Sequence, residues 1–269
     1  MRALNTLRIV AITTAAAILA GCGGLPEKTD ETATWHTDKL YSEAKDALDS
    51  SDWGKCAKYF TTLEGRDPFG RFAQQAQMNV AYCDYRNNDT EAANTAVDRF
   101  IRLHPDHPNV DYAYYLKGLI NFNDDLGLFG RFSGQDLSDR DPKALHDSYD
   151  AFKQVVDKFP KSRYTPDSAQ RMRYIVNALA THEVHAAQYY FKRGAYLAAV
   201  NRAQGALQNY QGAPATEDAL EVMVQSYRAL GETKLSDDTR RVLAATFPTS
   251  PYITGKPRFA SNKPWYQIW

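Results

Sequence analysis

The chain is poor in cysteine, in tryptophan and in net charge. Of 269 residues, three are Cys and four are Trp, and Lys plus Arg equal Asp plus Glu at 32 each. Without a basic excess there is no electrostatic footprint for nucleic acid, and none is expected as a partner. Three cysteines without a C-x-x-C pair leave no zinc ribbon and no thioredoxin-type redox motif. No strand-like alternating run competes with the helical patterns described below. Catalytic signatures are missing as well, with no G-x-S-x-G, no P-loop and no complete H-E-x-x-H. His182-Glu183-Val184-His185 falls one residue short of the last, whose histidines need i, i+4 spacing to face one metal. It reads as surface histidines on a long helix. His104 and His107 bracket Pro105 and read as capping residues at a helix corner. The expectation is a protein that is not an enzyme and holds no metal or cofactor.

One long apolar run is present, at residues 9–20, and it is too short to span a bilayer. Arg2 and Arg8 precede it, and Leu19-Ala20-Gly21-Cys22 closes it, the pattern of a secreted lipoprotein whose cysteine is lipidated and becomes the new N-terminus. Residues 1–21 are therefore read as a lipoprotein signal peptide. The one covalent group expected is a lipid on Cys22. Gly23, where an Asp would favour retention in the inner membrane, points to the outer membrane. Residues 22–36 have no apolar period and read as a lipidated Cys with a flexible tether. Several acyl chains on Cys22 would anchor stably where one alone would not.

What the chain has in quantity is tyrosine (17), phenylalanine (12) and proline (12), set in a recurring pattern. Ala93, Val97 and Phe100 form one apolar stripe at i, i+4, i+7. Pro105 and Pro108 stop that helix, and Tyr112, Tyr115 and Leu119 restart the next. Similar blocks end near Pro68, Pro105, Pro160, Pro214 and Pro248, at a period near 34 residues, with small residues where paired helices approach closely. This resembles the tetratricopeptide repeat. One helix pair cannot bury its apolar face alone, whereas stacked pairs share a continuous core. The fold expected is all-α, a solenoid of about five helix pairs. Repeats 1–2 occupy residues 37–108, repeat 3 residues 109–162, and repeats 4–5 residues 163–248. The fourth has an overlong first helix, residues 166–193.

Two segments interrupt the array. Residues 122–142 insert about 18 residues into repeat 3; the glycines forbid a long helix, yet Leu126, Leu128, Phe129 and Phe132 are too apolar for idle solvent. Residues 249–269 carry Pro251, Pro257 and Pro264, cations and aromatics but no acid. They read as an extended tail that docks when a surface is available, and not as a sixth repeat. Cys56 and Cys83 lie at helical packing positions and read as two small buried hydrophobes. The alternative is a disulfide, worth about 3–4 kcal/mol for such a loop.

Arrays of helix pairs bind through the concave groove lined by their first helices. The register places Tyr41, Lys45, Tyr82, Tyr85, Arg86, Tyr112, Tyr115 and Phe122 there. Tyr and Arg are favoured contact residues, large and with polar handles. An extended segment with aromatic side chains or a carboxylate would suit this lining, the competing reading being that several of these tyrosines belong to the core.

At a finer grain the chain is similar to the BamD family, outer-membrane lipoprotein subunits of the β-barrel assembly machinery. The likeness rests on Asp67-Pro68-Phe69-Gly70, on D-R-F-I-R-L at 98–103 with His107-Pro108-Asn109, and on Ser138-Asp139-Arg140-Asp141-Pro142. Tyr189-Tyr190, Arg193-Gly194-Ala195 and Val200-Asn201-Arg202 add to it. The resemblance implies a scaffold on the periplasmic face of the outer membrane, working with a BamA-like barrel subunit and other small assembly lipoproteins. Its C-terminal repeats would dock on a POTRA domain, with Arg202 pairing an acidic residue and Arg193 and Asn201 beside it. Its N-terminal repeats would receive the aromatic signals of unfolded barrel precursors. The chain departs from the pattern at Asp67, where the family usually has Tyr, and beyond Gly255. A pilotin-type repeat lipoprotein assisting a secretin or pilus is the alternative, and would share the repeats and the lipidation signal but not the D-R-F-I-R-L and S-D-R-D-P stretches.

Overall fold

The computed structural model describes residues 30–122, Ser138 and residues 142–255. The signal peptide, Cys22, most of the insertion and the tail beyond Gly255 lie outside the described residues. Ten helices stack as five antiparallel pairs: α1 (Thr37–Asp49) with α2 (Trp53–Arg66), α3 (Ala73–Arg86) with α4 (Thr90–Leu103), α5 (Val110–Phe122) with α6 (Pro142–Lys158), α7 (Thr165–Lys192) with α8 (Tyr196–Asn209), and α9 (Thr216–Ala229) with α10 (Thr233–Thr246). A single turn, α11 (Pro251–Thr254), follows. Each helix packs on its chain neighbours, and α7 also packs on α9. The described residues contain no strand. The all-α solenoid expected from the sequence is what forms.

The turns show why this sequence repeats. Within four pairs the first helix ends in the same left-handed residue, Ser51, Asn88, Gly194 or Gly231. The next residue's N–H reaches back five positions, Asp52 to Ala47, Asp89 to Asp84, Ala195 to Tyr190 and Glu232 to Tyr227, which is the Schellman closure of orphan carbonyls. Asp52 and Asp89 then cap the second helices, accepting from the N–H groups of Lys55 (3.2 Å) and Ala92 (3.0 Å).

Between pairs, a relay of backbone bonds recurs five times. In the second it runs His104 to Phe100, His107 to His104 and Val110 to His107; in the fifth, Phe247 to Leu243, Ser250 to Phe247 and Ile253 to Ser250. Pro occupies the position after the relay's first donor in four turns. In the fourth, Gln211 stands there, Gly212 at φ 80° makes the corner, and Pro214 comes later in the turn than its counterparts. The relay sets the repeat at 37 residues, from Asp67 to His104 and again from Tyr210 to Phe247, rather than near 34. The fifth relay starts a sixth first helix. It stops after one turn at Gly255, φ 88°. The segment read as a plain extended tail therefore opens with a truncated repeat, pinned by Tyr252, which packs beside Leu220 and Leu243.

Large side chains fill the gaps left by small ones. Phe60, Phe100 and Phe152 are fully buried, each contributing about 1.5–3 kcal/mol relative to exposure. Gly118 of α5 lies so close to α6 that a Cβ there would meet the Phe152 ring at 2.4 Å, and its carbonyl accepts the Ser148 hydroxyl at 2.9 Å.

Two further expectations change. The tether is not free over its whole length. Asp30 accepts from Thr32, the Arg66 guanidinium donates to the Thr32 carbonyl at 2.6 Å, and Glu31 accepts from Tyr59 at 2.9 Å. Residues 30–36 are thus docked on α2. Cys56 and Cys83, read as separate hydrophobes, are joined as a disulfide between α2 and α3, with Cα atoms 5.8 Å apart.

Candidate functional site

The residues assigned to the N-terminal groove are brought together, but largely on one another. Tyr41 stacks on Phe72 at 4.0 Å and donates its hydroxyl to Gln75 at 2.9 Å. The Arg86 guanidinium lies 4.4 Å from the Trp53 ring centroid and donates to the Tyr82 hydroxyl at 3.0 Å. Lys45 pairs with Asp49 at 3.5 Å. Tyr115 stacks on Tyr164 at 4.7 Å and donates to Asp167 at 2.8 Å. Burial, then the Asp167 carboxylate, pushes the Tyr115 phenol up to about 12. Burial also raises the phenol of Tyr112, which has Tyr82, Tyr164, Tyr115 and Tyr85 around it. One tyrosine cluster therefore runs from α3 across α5 to the turn before α7. All these tyrosines are partly buried, presenting ring edges and hydroxyls. Phe122 is the exception. It is buried among Phe152, Ile175 and Leu179, and belongs to the core instead of the exposed lining.

A cleft that the sequence did not announce opens beside Phe122. It holds about 1050 Å³ and lies between α6, the first half of α7 and the 211–214 turn. Tyr149, Met172, Tyr174 and Val176 give it apolar walls, with Tyr174 half exposed. Arg171 crosses its floor, donating to Asp167 at 2.6 Å and lying 5.0 Å over the Phe122 ring. The long α7 creates this space. Its 28 residues double the 14 of an ordinary helix here, so its first half packs on repeat 3 and its second half on α8 and α9.

In the C-terminal repeats, Asn201 and Arg202 share a second recess of about 460 Å³ with Glu183, Tyr190 and Gly205. Arg202 donates to Glu183 at 3.2 Å, an ion pair across α7 and α8 that is half exposed on the arginine side. Arg193 is not part of that recess. It caps α7 and donates to the Tyr189 hydroxyl at 3.2 Å. Glu183 is the participant that sequence reading missed, having been in view only as part of an incomplete zinc motif. Its signal was available: residues 201–202 on α8 face the second half of α7 in an antiparallel pair. Among the described residues no three His, Cys, Asp or Glu side chains converge as a metal site, and no helix is long and apolar enough to cross a membrane.

Comparison with known proteins decides the family. A model described as YfiO, outer membrane lipoprotein, matches residues 34–243. The chain belongs to this family, whose members include BamD. The outer membrane protein assembly factor BamD of Neisseria meningitidis serogroup B is 43% identical over 247 residues, covering 92% of each chain. BamD of Neisseria gonorrhoeae is 43% identical over 88% of this chain and 89% of its own, and BamD of Vibrio cholerae 31% identical over 85% and 94%. The family model ends at residue 243 and so stops short of α11 and the tail. Among solved structures, a Podosopora anserina kinesin light chain with TPR-like repeats matches over 81% of this chain at 12% identity and a TM-score of 0.39.

Proposed function

We propose that this BamD-family lipoprotein is a non-enzymatic scaffold for inserting β-barrel proteins into the outer membrane. It is held on the periplasmic face by a lipid on Cys22. The observation that carries the reading is similarity to an outer membrane protein assembly factor at 43% identity over 92% of the chain. The C-terminal repeats dock a POTRA domain of a BamA-like barrel subunit through Arg202, with Asn201 in the same recess and Arg193 on the neighbouring corner. The N-terminal repeats take the aromatic signal of an unfolded precursor on the tyrosine cluster of Tyr82, Tyr85, Tyr112 and Tyr115, extended by Tyr41 on α1 and with Arg86 at its edge. Other small assembly lipoproteins complete the complex. The half-buried phenols supply ring edges and hydroxyl donors suited to aromatic side chains and a carboxylate.

The test is co-purification from outer membranes with the wild-type chain and an Arg202→Glu variant. Recovery of a POTRA-bearing barrel protein by the wild type and its loss on charge reversal is the expected result. Recovery of a secretin or pilus component instead would move the assignment to a pilotin-type role.

A further inference from the structure

The cleft beside Phe122 and the segment after Gly255 are neighbours in space. The first turn of α9 lies between them. On one side Asn177, which lines the cleft, accepts the Ala215 N–H at 3.3 Å. On the other, the Tyr252 hydroxyl of α11 donates to Asp218. The chain therefore leaves its last described turn from a helix that contacts the same first turn of α9 that borders the cleft. That same first turn of α9 is acidic. Glu217 keeps a carboxylate oxygen buried without a donor among the described residues, and Asp218 stands next to it.

The sequence that follows is Lys256-Pro257-Arg258-Phe259, then Trp265-Tyr266, with no acidic residue through position 269. We infer that residues 256–269 fold back over the first turn of α9 and occupy the cleft. Lys256 and Arg258 meet Glu217 and Asp218, and the aromatic side chains lie against Tyr174 and Met172. The ten residues from Gly255 to Trp265 can extend about 33 Å, against the single helical turn, about 5 Å, that separates Ala215 from Asp218. The aromatic walls suit Trp and Tyr side chains, and the acidic turn suits the two cations at the segment's start. This places the tail on its own repeats 3 to 5, away from the N-terminal tyrosine cluster. It makes the tail a built-in competitor for any basic, aromatic-rich segment that enters the cleft. The inference stands independently of which partner binds Arg202.

A chain shortened after Gly255 keeps all ten packed helices and α11. The probe is a fluorescent synthetic peptide of residues 256–269, titrated by anisotropy against the shortened chain, the full chain and a shortened Tyr174→Asp variant. The expected result is saturable binding to the shortened chain, at least about tenfold weaker binding to the full chain, and at least about tenfold loss with Tyr174→Asp. Equal binding to full and shortened chains, or none to either, would overturn the proposal. So would loss of binding with Leu235→Asp and Val242→Asp while Tyr174→Asp has no effect. That pattern would place the tail on the exposed apolar stripe of α10 instead.

Discussion

The first two and the last two repeats solve the same packing problem with different side chains. In the N-terminal repeats the core is built on Leu40, Tyr59, Phe60, Leu63 and Phe100, closed by Leu116 and Ile120 from the first helix of repeat 3, with alanines between them. In the C-terminal repeats the corresponding cluster is Ala180, Val184, Ala187, Ala199, Val200, Ala203, Ala206, Ala219, Val222 and Met223, with no buried ring. Large side chains there move outward, with the Tyr189 ring about half exposed and the aliphatic Leu197 more so. The α7–α9 core is thus filled by small side chains, whereas that of α1 to α5 adds large rings and leucines to its alanines. The N-terminal half also carries the disulfide. Its stability should accordingly be concentrated in a few residues, and that of the C-terminal half spread over many.

Truncating a large filler in each half is the strongest way to break this comparison. Phe100→Ala should cost about 3–5 kcal/mol, because the emptied space is lined by helices held apart by other large groups. Val200→Ala should cost about 2 kcal/mol, since fewer atoms are removed and neighbouring alanines leave little void. Urea unfolding of both variants measures the difference, and equal losses would erase the distinction. Next in size is the Cys56–Cys83 staple. Replacing both by Ala should cost about 3.5 kcal/mol through loop entropy in the unfolded chain. Reducing agent should lower the unfolding temperature of the wild type and leave the double variant unmoved. A wild type insensitive to reduction would remove the staple from the comparison.

How far the sequence could show this contrast depends on the range of each interaction. The helix pairs and the long α7 were legible because Pro, Gly and apolar spacing are local. Pairing of Cys56 with Cys83 was not, since it depends on the rotation of α2 against α3, which no spacing of 27 residues encodes. Docking of residues 30–36 escaped for a similar reason. The segment has no apolar period and is held by Arg66, 34 residues away from Thr32. At the groove, the period of 3.6 identified the correct helices. Tyrosine is amphipathic, however, and the pattern alone does not separate an exposed tyrosine from one half-buried on Tyr164. Phe122, wholly apolar, is buried instead against Phe152, Ile175 and Leu179, partners from later repeats that the period does not reveal. The cleft beside it needed three elements from separate repeats to meet.

A smaller effect sharpens the comparison at the polar positions. Asp84 on α3 is partly buried, and burial, with Asp89 adding to it, lifts its carboxyl from the ordinary aspartate range to about 6. The folded state thus holds this proton more tightly than the unfolded chain. The associated stability is complete below about pH 4 and is lost as the pH rises through 6. Above that, a partly desolvated carboxylate is a cost. Asp84→Asn should therefore stabilise at pH 7.5 by on the order of 1 kcal/mol after allowing for solvent screening, and the gain should vanish near pH 4. A pH-independent gain in thermal unfolding would assign it to something other than the carboxylate.

The smallest effect on stability concerns the residue on which the proposed partner contact depends. Arg202 and Glu183 are close enough to pair, yet the arginine is half exposed, and such pairs contribute about 0–1 kcal/mol. Arg202→Ala and Glu183→Ala should each shift unfolding by less than about 1 kcal/mol, and a double-mutant cycle should give a coupling in the same range. Their effects on partner capture should differ in sign. Arg202→Ala removes the cation a partner's acid would use, whereas Glu183→Ala removes an internal competitor for it and should strengthen capture. Loss of capture in both variants would mean that the pair acts as a unit, with Glu183 holding the arginine in place. A stability cost of several kcal/mol in either would instead make it an internal strut of the alanine-packed half.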